Sequence, residues 1–103
     1  MTETIEALTP QSRGRWKVET ENGTFHVWDM DAQSYTRHHP EGGRNPMQYD
    51  GTPLVLDPAL VSAWPEVGQR FAIAVLLTSD GEVVHWKFRI SSHIVAIRRM
   101  TDD

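Results

Sequence analysis

Five histidines and no cysteine limit any metal chemistry in this 103-residue chain to imidazole and carboxylate ligands. His38 and His39 are adjacent, and neighbours in an extended segment point to opposite sides, so the two do not serve one ion. His26, His85 and His93 fall in expected strands, the first two on polar faces. A metal centre needs three or four converging ligands, and none is expected. Asp29-Met30-Asp31-Ala32-Gln33 starts as a calcium loop does, but Ser34 stands where glycine is needed and Pro40 where the closing glutamate belongs. Turn-forming aspartates account for it. Ser91-Ser92-His93 lacks a nucleophile elbow, and Gly42-Gly43-Arg44 lacks the lysine and hydroxyl residue of a phosphate loop. Paired carboxylates for glycoside hydrolysis need a cleft that so small a domain rarely provides. The expectation is a protein without catalytic residues or cofactor, not an enzyme.

Recognition chemistry remains. Of four tryptophans, Trp16 and Trp86 are accounted for by core faces, and Trp64 by the anchoring of a helical turn. Trp28 is expected on a polar face beside Lys17 and His26, where a core role does not explain it. Tryptophan and arginine dominate binding hot spots, so Lys17, His26, Trp28, Tyr35 and Arg37 form the expected binding set. The competing explanation is local: a cation–π pair with Lys17, or cover from the N-terminal tail or the loop His38–Gly51.

Two hairpins must position these residues. Asn22-Gly23 between Trp16–Glu21 and Thr24–Trp28 suits a two-residue turn with positive φ at both central positions. That register sets Glu21 opposite Thr24, Thr20 opposite Phe25, Val18 opposite Val27 and Lys17 opposite Trp28. Trp16, Val18, Phe25 and Val27 would then face the core. Asp80-Gly81 marks a second hairpin, pairing Leu77 with Val84, Val75 with Trp86, Ile73 with Phe88 and Phe71 with Ile90 as one apolar face. Ala72, Ala74 and Leu76 lie on the reverse, covered by the stems of Lys87 and Arg89. Gln33–Arg37, Pro53–Leu56 and His93–Arg99 complete the strands. Asp57-Pro58 reads as the cap and first residue of a helical turn over Pro58–Ala63. The sum is a mostly β domain, a small antiparallel barrel or strongly bent sheet (OB-like or SH3-like), of about six strands plus one short helical turn. Residues 1–12 are expected to form a flexible tail, 13–100 the domain, and 101–103 a flexible end.

Composition narrows the partners. A net charge of −4 argues against a general nucleic-acid binder. The acidic, polar N-terminus is unlike a signal peptide, and no apolar run approaches the ~20 residues of a membrane helix. A cytoplasmic protein with no membrane partner is expected. Trp16–Thr20, Asn22–Thr24, Trp28–Asp31 and Tyr35–Arg37 together resemble small uncharacterised β-domain proteins of high-GC Gram-positive bacteria and their phages. A weaker echo lies at Val67-Gly68 and Ser92–Ile97. The resemblance implies a fold and a phage or mobile-element setting; it carries over no catalytic residue. The expected function is therefore a non-enzymatic protein-interaction module, binding an unidentified protein or itself through the aromatic and basic face of the first hairpin. The alternative is an OB-like domain for single-stranded nucleic acid. There, His26, Trp28, Tyr35 and Arg37 would form the platform, with Arg89, Arg98 and Arg99 supplying charge. A third reading is a small enzyme or ligand carrier with a barrel mouth lined by the loop His38–Gly51.

Overall fold

The computed structural model describes residues 3–39, 50–80 and 82–100. Among them lie eight strands and no helix: β1 (Thr4–Ile5), β2 (Arg15–Thr20), β3 (Phe25–Asp29), β4 (Ser34–His38), β5 (Leu54–Ala63), β6 (Ala72–Ser79), β7 (Glu82–Ile90) and β8 (Ile94–Met100). They form one antiparallel sheet in the order β1-β8-β2-β3-β4-β5-β6-β7. It does not close, so β1 and β7 are its edges. The expected six-strand OB-like or SH3-like barrel with a helical turn is thereby corrected. Asp57 still organises its neighbourhood, its Oδ1 accepting from Ala59 N–H at 2.9 Å. The turn it makes is an irregularity between Leu56 and Val61 within β5, rather than a helix start. Thr4 and Ile5 pair with β8, and Leu8 is buried in the core, so part of the expected flexible tail is structured. Most of the expected loop His38–Gly51 and the end 101–103 lie outside the described residues.

Both hairpins differ from expectation by one residue. At the first, Gly23 N–H donates to Thr20 O (3.1 Å) while Thr20 N–H donates to Thr24 O (3.0 Å), giving a three-residue loop. Gly23 has φ of +87°, whereas Asn22 does not adopt positive φ. Asn22 instead uses its side chain, Oδ1 accepting from Thr20 Oγ1 at 2.6 Å and from Thr24 N–H at 3.2 Å. The pairs become Glu19–Phe25, Val18–His26, Lys17–Val27 and Trp16–Trp28. A one-residue shift exchanges the two faces of a strand. His26 and Trp28 therefore turn inward with Trp16 and Val18, while Phe25 and Val27 turn outward.

At the second hairpin Ser79 pairs with Glu82, as a two-residue loop requires. An irregularity between Leu77 and Thr78 then slips the ladder to Leu77–His85, Leu76–Trp86, Val75–Lys87, Ala74–Phe88, Ile73–Arg89 and Ala72–Ile90. The expected single apolar face of eight side chains is corrected: Ile73 and Val75 point inward with Lys87 and Arg89, and Trp86, Phe88 and Ile90 point outward. The core gathers Leu8, Trp16, Val18, Trp28, Tyr35, Leu56, Phe71, Ile73, Val75, Ile94 and Ile97.

Candidate interaction surface

Four of the five expected binding residues meet, but inside the molecule. Antiparallel pairing sets His26 opposite Arg37 and Trp28 opposite Tyr35. Trp28 is fully buried (0% exposed) and makes edge-to-face contacts with Tyr35 (6.0 Å between centroids) and Phe71 (5.1 Å), with Trp64 tilted against it at 5.7 Å. Among the described residues its indole N–H has no hydrogen-bond partner. The expectation of Trp28 on a polar outer face is corrected, and with it the stacking platform of the nucleic-acid alternative. Lys17 stands apart on the outer face, its Nζ 4.5 Å from the Phe25 ring centroid and 3.7 Å from Glu19 Oε1. Its cation–π partner is thus Phe25, the residue that the register shift moved outward.

A polar cluster borders the aromatic one. His26 Nδ1 and Tyr35 Oη are 2.7 Å apart, and Arg37 Nη1 donates to both carboxylate oxygens of Asp50 at 2.6 and 2.7 Å. A cavity of about 70 Å³, lined in part by Thr20, Thr24, His26, Arg37 and Ser91, adjoins it. Burial, reinforced by Arg37, depresses the imidazole of His26 to about 3, Asp50 opposing the shift. Burial also pushes the Tyr35 hydroxyl upward. General acid–base work favours a pKa near the operating pH. Both groups are displaced away from neutrality, and their 2.7 Å contact joins β3 to β4 inside the sheet. No group of three or more His, Asp or Glu side chains that could hold a metal ion occurs among the described residues.

The outward face of β5, β6 and β7 has the opposite character. Trp86, Phe88 and Ile90 are 60%, 54% and 61% exposed, on successive outward positions of an edge strand. Register continues this apolar surface through the partly exposed Leu76 and Ala72 of β6, with Ala74 covered between them, to Val55 and Ala63 of β5. The amphipathic sense of β7 is inverted. Lys87 and Arg89 occupy the inward positions, their stems beside Val75 and Ile73, while the aromatic residues meet solvent. Sequence reasoning missed this surface because it assigned Trp86, Phe88 and Ile90 to the core. Val83 and Val84 are apolar in both phases of the strand and leave the register of β7 open at that point, so the sequence does not mark the slip.

No protein-family model, curated protein or solved structure matches the chain. The chain is a small all-β domain with no recognisable catalytic motif and with an aromatic and basic cluster. Among the described residues no helix is long and apolar enough to cross a membrane.

Proposed function

We propose that this domain is a non-enzymatic protein-interaction module whose contact surface is the outward face of β5–β7, centred on Trp86, Phe88 and Ile90. One observation carries the reading: three large apolar side chains more than half exposed in a row, with the charged residues of the same strand turned inward. Single exposed apolar residues are ordinary, whereas a contiguous stripe marks a surface that another molecule covers. The first hairpin, where the sequence alone would put the contact, supplies the internal frame: its aromatic residues fix the sheet that displays the stripe.

A photo-crosslinking residue at position 88, activated in source cells, tests the reading. Discrete protein adducts that vanish when the crosslinker is moved to the exposed position 21 are the expected result. Equal diffuse labelling at both positions would defeat the reading.

A further inference from the structure

We infer that the occupant of the β5–β7 face is the same face of a second copy, in a two-fold, face-to-face dimer; the inference rests on the interaction reading above. Charge is the first argument. The chain carries a net charge of −4, yet the outward positions Ala72, Ala74, Leu76, Trp86, Phe88 and Ile90 of β6 and β7 hold no charged residue, Asp57 lying beyond them in the irregular part of β5. A surface of this composition selects a partner that is equally free of charge at the contact. A two-fold axis satisfies that requirement automatically, because the same patch serves both subunits.

Area is the second argument. An aromatic side chain offers about 150–250 Å². At the observed exposures, Trp86, Phe88, Ile90 and Val55 present about 400 Å² of apolar surface per copy. Two copies would bury about 800 Å² of it. Homodimer interfaces are about 65% apolar, which implies a total of about 1,200 Å², the lower bound for a specific and stable contact. Face-to-face packing covers the whole stripe, whereas joining two β7 edges in one continuous sheet would leave most of it in water. Edge joining centred on Lys87 or Phe88 would also set Lys87 against Lys87 or Arg89 of the other copy. Outward aromatic residues and inward cations therefore both favour stacking of faces.

Trp86 provides an internal reporter, because Trp16 and Trp28 are already buried and Trp64 is half-buried. Sedimentation of the full chain from about 1 to 200 µM, the range in which a contact at this lower size bound is expected to dissociate, is combined with acrylamide quenching of tryptophan emission. The expected result is a rise toward twice the 11.7 kDa of one chain, with a concentration-dependent loss of the quenchable fraction. The Phe88→Glu variant should stay monomeric, and Trp86→Phe should still dimerise while losing most of the quenching change. Circular dichroism of each variant establishes that it is folded; should Phe88→Glu not fold, Ile90→Lys takes its place. A wild-type chain that is monomeric throughout would overturn the second-copy inference alone, the interaction reading surviving if position 88 crosslinks to another protein. A dimer that withstands Phe88→Glu with unchanged Trp86 quenching would overturn this face as the contact.

Discussion

Replacing His26 with leucine should flatten the acid limb of the stability curve. His26 is 4% exposed, and burial, with Arg37 next in size, holds its imidazole at about 3 in the folded chain. Arg89 and His38 add to the depression, while Asp50 opposes it. In the unfolded chain the same group titrates near the ordinary value of about 6.5. The depressed folded value fixes the sign. Above about pH 6.5 neither state binds the proton, and His26 makes no pH-dependent contribution. As the pH falls toward 3, the unfolded state takes up a proton that the folded state refuses, and stability declines by about 1.4 kcal/mol per pH unit. Between pH 7 and 4.5 this amounts to about 2.5 kcal/mol, or about 10–20 °C of melting temperature for a domain of this size. The assay is urea denaturation of wild type and His26→Leu at half-unit pH intervals. The variant will be less stable at neutral pH, because the Tyr35 hydroxyl loses its 2.7 Å partner, and the gap closes as the pH falls, so the quantity that decides is the difference in slope. Parallel curves, or a His26 imidazole resonance, assigned by its absence in His26→Leu, that titrates above pH 5 in the folded wild type, would refute the reasoning.

Three further substitutions probe the core and the first turn. Trp28→Ala should cost about 3–5 kcal/mol, a large share of a small domain's total stability, and should shift the urea midpoint with little change in m-value. A loss below about 1 kcal/mol would place the indole outside the core. Gly23→Ala should cost about 1–2 kcal/mol, because φ of +87° brings an alanine Cβ against its own backbone. Asn22→Ala should cost about 0.5–1.5 kcal/mol through its lost side-chain bonds, and the two are separable by thermal melts.

The strands were legible in the sequence and their faces were not, for a reason visible at each hairpin. Asn-Gly fits a two-residue loop with two positive φ values and equally a three-residue loop that needs only the glycine. Composition does not break the tie: Phe25 and Val27 make one apolar set, Trp28 and Met30 the other. What decides is tertiary, since Trp28 fills the space beside Tyr35, Phe71 and Trp64, and no spacing rule reports that. At the second hairpin the turn was read correctly and the slip between Leu77 and Thr78 was not, because β7 is valine-rich where the extra residue enters. The consequence is larger than the cause. One slip buries the residues that looked like a binding set; the other exposes three that looked like core. The contact surface of this domain is therefore written less in which residues it contains than in two registers. A change that restores an unbroken β6–β7 ladder would move Trp86, Phe88 and Ile90 inward and erase the surface with its composition intact.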